Sequence, residues 1–298
     1  MAVLSNGNRM DYHDLESRYI EVAEGIKIHC RYNTSKGKPI IFLHGFPEFG
    51  FGWRNQIPAF ADEYQIIVPD LRGYHLSSKP KGVKAYSLEN LVGDILAIMD
   101  DFALEKATIV AHDWGGGIAW TLTSLFPERV EKLIILNMPH PDELKRQLRR
   151  NFKQLRRSYY AILFQIPLLP ELFFHAFPNW FFRTVFKKRS LRPEVFSDSD
   201  LKVYQKAFSS LETWTATINY YRAFFRYPAP TLPKISVPTG MIWGEQDFAL
   251  GKELTLDMEK YCSQFLGVSY IPGASHWLQH EYVEEVNGYI RRYLEMKG

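Results

Sequence analysis

Residues Ile109–Trp120 read IVAHDWGGGIAW: an apolar run, then His112, Asp113 and Trp114, then three glycines, then an apolar helix-like pattern. Small-x-nucleophile-x-small is the layout of a sharp strand-to-helix turn that holds a reactive side chain at its tip. Here the tip is Asp113, and no G-x-S-x-G occurs anywhere in the chain. Gly115, Gly116 and Gly117 would permit the tight turn and close strand–helix approach. Asp113 is then either a plain N-cap for the helix beginning near Trp114 or a carboxylate placed to react.

Outward from this stretch, short apolar runs alternate with longer helical patterns. RYIEVAEG, IKIHCRY, PIIFLHG, YQIIVPD, KATIVAHD and EKLIILNM come first, and TGMIWGEQD and GVSYIPGASH follow after a long interval. Runs that are apolar on both faces suit a parallel sheet covered by helices. SLENLVGDILAIMDDF has the stripe of a surface helix, with Ser87 placed to cap it, and EYVEEVNGYIRRYLEMK reads as a terminal helix. The expected fold is α/β, a mostly parallel eight-stranded sheet flanked by helices, its first two strands forming an antiparallel hairpin at the edge through Glu24-Gly25. Residues 139–229 break the rhythm with helical and aromatic patterns. They read as an inserted helical lid between core segments 1–138 and 230–298.

With 298 residues, 46% of them hydrophobic, the chain can bury a full core. Its 36 basic and 33 acidic residues, a net charge of +3, are too balanced for a nucleic-acid partner. Cys30 and Cys262 form no zinc or redox spacing, and their scarcity fits a reducing compartment. The polar N-terminus MAVLSNGNRMDYHDLESRYI lacks a leader's apolar region, and no stretch reaches the ~18 apolar residues of a membrane span. A cytoplasmic location is the expectation. No feature of the sequence fixes an oligomeric state.

Ligands of open α/β sheets bind beyond the carboxyl ends of the strands. Four such ends carry polar residues: HGFPE (His44–Glu48), HDWGG, GEQDFAL and GASHW. In chain order they supply a nucleophile, Asp113, an acid, Asp247, and a base, His276. That is the order of the α/β-hydrolase fold. HGFPE, PDLRGY, SSKP, HDWGG, NMPHP and SHW together make the sequence resemble the α/β-hydrolase superfamily, specifically its epoxide hydrolases, along essentially the whole chain. One departure is RGYHLSS, where His75 stands at a place usually held by glycine.

The resemblance gives the carboxylate its purpose. An epoxide is attacked at an sp³ carbon; a serine would leave an ether, whereas aspartate leaves an ester that water can cleave. Aspartate also needs no deprotonation at neutral pH. On this reading His276 activates the water, Asp247 orients the imidazole, and the backbone N–H groups of Phe46 and Trp114 form the oxyanion hole. The resemblance implies two lid tyrosines that assist ring opening: Tyr160 or its neighbour Tyr159, and Tyr221 or its neighbour Tyr220. A slip of one residue turns a helical side chain by about 100°, so only one of each pair can face the cleft. Phe46, Pro47, Trp114, Tyr159, Phe164, Tyr220, Phe248 and Trp277 are the expected substrate contacts. The implied partners are a small apolar epoxide and water, with no cofactor or metal. Haloalkane dehalogenases bear Asn where Phe46 stands, and fluoroacetate-type relatives place Arg where Trp114 stands. Both differences disfavour halide chemistry. A non-catalytic ligand receptor on the same scaffold is the other reading.

Several bland roles stand beside these. His44 and His112 read as hydrogen-bonding turn residues, and Asp247 could also cap a helix starting near Phe248. His276 and His280 have zinc-like spacing but no third ligand. DELKRQLRRNFKQLRRSYY, at the start of the lid, reads as a basic amphipathic helix, which lies either on anionic lipid or on the core with its charges solvated. The Phe- and Leu-rich stretch after it, broken by Pro167, Pro170 and Pro178, lines an apolar substrate cavity or packs the lid's own core.

Overall fold

A computed structural model describes residues 10–296. The first nine residues of the stretch used to judge a leader segment lie outside that range. The described residues form an eight-stranded sheet in the order β1-β2-β4-β3-β5-β6-β7-β8. The strands are β1 (Glu16–Ala23), β2 (Ile26–Tyr32), β3 (Pro39–Leu43), β4 (Gln65–Pro69), β5 (Ala107–His112), β6 (Val130–Leu136), β7 (Thr239–Gly244) and β8 (Phe265–Ile271). β1 and β2 pair antiparallel, β2 meets β4 antiparallel, and every pairing from β4 to β8 is parallel. β5 is central, and all its residues are buried. A strand covered on both faces must be apolar throughout, which is why it lacks period-2 alternation.

The helices α1 (Ile57–Phe60), α2 (Leu88–Asp101) and α3 (Trp114–Leu125) belong to the first core segment. Ser87 occupies the N-cap position of α2, but its side chain caps nothing; its Oγ accepts instead from Asn90 Nδ2 at 3.1 Å. From β6 to β7 the chain passes through α4 (Pro141–Arg150), α5 (Phe152–Arg157), α6 (Tyr159–Leu163), α7 (Leu169–Ala176), α8 (Pro178–Phe182), α9 (Asp198–Ala207) and α10 (Leu211–Arg226). These helices form an insertion between β6 and β7. α11 (Leu278–Glu281) and α12 (Val283–Glu295) close the chain.

The basic stretch expected as one helix is broken at Asn151, which has extended backbone. Its Oδ1 accepts from the N–H groups of Lys153 and Gln154 and so starts α5 afresh. A side-chain acceptor inside a helical pattern competes with the backbone, and here it wins.

Candidate active site

The parallel strands bring the ends of β3, β5, β7 and β8 to one edge. The strand order reverses between β3 and β5, the place where open α/β sheets take ligands. Asp113 sits there between β5 and α3 with φ 48° and ψ −123°, a backbone state uncommon for a residue with a side chain. It is no helix cap: its side chain accepts no bond from the first turn of α3. Strain of this kind costs of order 1–3 kcal/mol and persists only where the surroundings impose it. They do so here, because a Cβ on Gly115 would collide with the carbonyl oxygens of Leu43 and His44.

Asp113 Oδ1 accepts from the Phe46 N–H at 2.9 Å, and Oδ2 lies 3.6 Å from His276 Nε2. On the far side of the ring, His276 Nδ1 donates to Asp247 Oδ2 at 2.7 Å. No bond to the Trp114 N–H is found among the described residues. Burial works against charge on this buried imidazole, but Asp247 and Asp113 outweigh it and push His276 up to about 10. Burial likewise opposes the Asp113 carboxylate, yet His276 and the Phe46 N–H hold it below the ordinary aspartate value. Both shifts favour an imidazolium facing the Asp113 carboxylate.

Asp247 initiates no helix at Phe248. Its Oδ1 accepts from the N–H groups of Ala249 and Leu250 at 2.7 and 3.0 Å within a turn, which frees Oδ2 for the imidazole. That oxygen also accepts from Asn137 Nδ2 at 2.8 Å. Asn137 reaches it from a positive-φ backbone at the end of β6, while its own Oδ1 accepts from the Gly244 N–H. Sequence reasoning missed Asn137, although it lies in the quoted NMPHP. It missed Glu48 too, whose carboxylate accepts from Tyr204, Gln279 and His280 at 2.7, 2.9 and 2.8 Å and joins lid to core. His280 therefore turns away from His276. His112 Nε2 donates to the His276 carbonyl, and His44 Nε2 accepts from the Leu71 N–H.

His276 and Phe46, the two partners of the Asp113 carboxylate, open onto a cavity of about 690 Å³, within the usual range for a small-molecule site. Its wall holds His276, Phe46, Pro47, Phe164 and Phe248 together with Tyr159, Tyr160 and Tyr221. Tyr160 and Tyr221 meet edge to face with ring centres 5.8 Å apart, and burial holds both phenols well above their ordinary value. Tyr159 stands at the mouth, half exposed. Three expected substrate contacts are not on this wall. The Tyr220 hydroxyl donates to the Arg72 carbonyl at 2.6 Å, which turns it to the other side of α10. Trp277 donates from Nε1 to the Val185 carbonyl and packs on Phe186. Trp114 supports the wall from behind, its ring 4.9 Å from that of Tyr221. The buried Arg222–Glu171 ion pair, unrecognised in the sequence, ties α10 to α7, and Arg222 also donates to the carbonyls of Phe164 and Ile166.

One cluster among the described residues has the donors for a metal: His29, Asp70 and His75. The carboxylate already accepts from both imidazoles, at 2.8 and 2.9 Å, and from the Gly50 N–H. It is a satisfied polar network, separate from the cavity wall.

The alpha/beta hydrolase fold family matches residues 38–282. Epoxide hydrolase 1 of Caenorhabditis elegans is 35% identical over 285 residues, 94% of this chain and 70% of the relative. The AB hydrolase superfamily protein YfhM of Bacillus subtilis is 38% identical over 276 residues, 91% and 95% of the two chains. Among solved structures, an epoxide hydrolase of Bacillus megaterium in complex with an inhibitor superposes with a TM-score of 0.85. It is 31% identical, covering 94% of this chain and all of that one. Sheet order, elbow and sequence agree: the chain belongs to the alpha/beta hydrolase fold family.

Proposed function

We propose that the chain is an epoxide hydrolase that converts apolar epoxides to vicinal diols through an ester on Asp113. The observation that carries this reading is a carboxylate at the elbow, bonded to the Phe46 N–H and facing His276, where both residues line an apolar cavity that Tyr160 and Tyr221 also wall. The names of the relatives point the same way.

Asp113 Oδ2 attacks a ring carbon as the C–O bond breaks, and Tyr160 or Tyr221 gives its proton to the departing oxygen. Both phenols are protonated at neutral pH, so they can donate. Oδ1 becomes the ester carbonyl oxygen, already on the Phe46 N–H, with the Trp114 N–H as second donor once charge develops. Esterification removes the Asp113 charge. His276 thereby loses one of its two anionic neighbours, and its proton returns to the tyrosinate through water. The neutral imidazole then takes a proton from water, and the hydroxide adds to the ester carbonyl carbon. Collapse breaks the bond to the substrate oxygen, which takes the proton of the newly formed carboxylic acid and leaves as the diol, with carboxylate beside imidazolium as at the start. Asp247, braced by Asn137, holds the ring throughout. Residues 139–229 act as the lid that closes the site. The buried free thiols Cys30 and Cys262 suit a cytoplasmic enzyme.

His276→Gln removes the base and leaves the nucleophile. Given a styrene-oxide-type substrate, it should accumulate an adduct on the Asp113 peptide, read as a mass gain. Turnover should fall about 10²–10⁴-fold. Absence of an adduct with any epoxide, with halide released from chloroalkanes by the unaltered protein, would replace this reading with dehalogenation. Saturable binding with neither turnover nor adduct would make the chain a receptor.

A further inference from the structure

Around the cavity mouth the lid presents a surface unlike the rest of the molecule. Phe152 is 79% exposed, Leu169 61% and Leu168 57%, with Leu172, Phe177 and Trp180 about half exposed. The patch runs into the cavity, because Tyr159, Leu169 and Trp180 belong to both. Phe173 joins Phe177 and Trp180 to it at ring distances of 5.3 and 5.4 Å. Phe152, Leu168, Leu172 and Phe177 are not on the cavity wall, so an open substrate pocket does not account for their exposure. Apolar side chains exposed in such number on one insertion mark a docking face.

Charge identifies what docks. Residues 144–193 hold twelve Lys and Arg against a single acid, Glu171, which is buried on Arg222. The segment is therefore at +11, while the rest of the chain, with 24 basic and 32 acidic residues, is at −8. Arg149, Arg150, Lys153, Arg156, Lys188 and Arg189 are exposed, and none makes an ion pair among the described residues. Two of them, Arg156 and Arg189, stand at the cavity mouth. Apolar side chains ringed by free cations complement acyl chains beneath anionic headgroups. A second copy of this chain would set the same positive charge against itself. No helix among the described residues is long and apolar enough to cross a membrane, so the contact lies in the interface plane.

We infer that this lid face, from α5 to α8, docks on an anionic lipid bilayer and opens the cavity mouth against the acyl region. Resting on the epoxide reading, the consequence is that a lipophilic epoxide dissolved in the membrane enters without crossing water.

The test is cosedimentation of the full chain with phosphatidylcholine vesicles, with and without about 30% phosphatidylserine, at low and high salt. Partition should be about tenfold or more stronger on the anionic vesicles and should fall at high salt. Arg149→Glu/Arg150→Glu/Lys153→Glu should lose most of that binding. So should Phe152→Ser/Leu168→Asn/Leu172→Ser, where asparagine suits the positive φ at position 168. Both variants should turn over a small water-soluble epoxide within about twofold of the parent chain. Failure of the parent chain to bind anionic vesicles overturns the inference. A dimer seen by ultracentrifugation and abolished by the Phe152 set, without lipid binding, overturns it as well. Vesicle binding without turnover of any epoxide leaves the docking standing and sinks the hydrolase reading instead.

Discussion

Two clusters of imidazole and carboxylate stand at strand ends on the same sheet, with inverted stoichiometry. Beyond β4, one carboxylate, Asp70, serves two imidazoles, His29 and His75. Beyond β5, β7 and β8, one imidazole, His276, serves two carboxylates, Asp113 and Asp247. Each outnumbered group is pulled away from its ordinary titration value by its partners. Burial alone would raise Asp70, but the two histidines hold it well below the usual carboxylate range; His276 moves up to about 10. Only the second cluster meets the cavity. On the proposed mechanism its excess of negative charge is what the nucleophile would lose on forming an ester, which would return the base to service. The first cluster has nothing to lose, and it is structure.

Matched amide substitutions should separate the two most sharply. Asp247→Asn should leave the chain folded and lower turnover by about 10³–10⁴, because the imidazole loses its orienting anion. Asp70→Asn should do the reverse. It removes charge-assisted bonds in a buried network and costs about 2–4 kcal/mol of stability, with turnover of the folded fraction within about threefold. Denaturant titration beside steady-state kinetics checks both. Similar activity losses in the two variants would erase the distinction.

The clusters should also fail at opposite ends of the pH scale. His276 is raised in the folded state, so its contribution is complete below its unfolded value near 6.5 and is lost as pH climbs toward about 10. Asp70 is lowered, so its contribution is complete above about 4 and is lost as pH falls further. Each amounts to a few kcal/mol at most. Melting temperatures across pH should show both slopes, with His276→Gln flattening the alkaline one and Asp70→Asn the acid one.

Legibility in the sequence divides along a different line. The strands could be read because a sheet covered on both faces writes apolar runs, and the polar ends of those runs located Asp113, Asp247 and His276. Asn137 could not be read so, since its amide matters only through the meeting of β6, β7 and the His276 loop. The helical insertion between β6 and β7 was legible in composition and not in outline. The amphipathic pattern runs straight through Asn151, and a capping bond decides the break there. Neighbours in sequence misled where they face opposite ways. Trp114 and Trp277 adjoin site residues yet pack behind the wall, and a single hydrogen bond to Arg72 sends Tyr220 away while Tyr221 faces the cavity.

The smallest expected effect lies at His75, where the sequence departs from the glycine usual at that place. Its φ of 41° is a backbone state that glycine adopts freely, so His75→Gly relieves strain of about 1 kcal/mol. Against that, glycine gives the unfolded chain more freedom, worth roughly 0.5–1 kcal/mol. It also deletes a bond to the buried Asp70, worth about 1 kcal/mol from a partly exposed partner. The last two together exceed the first. The variant should therefore be less stable by about 1 kcal/mol, a fall of about 2 °C in melting temperature. A rise would mean that the second imidazole adds nothing, and that Asp70 is held by His29 and backbone alone. His75→Asn, which tolerates the same φ and keeps a side-chain amide, should fall between the two.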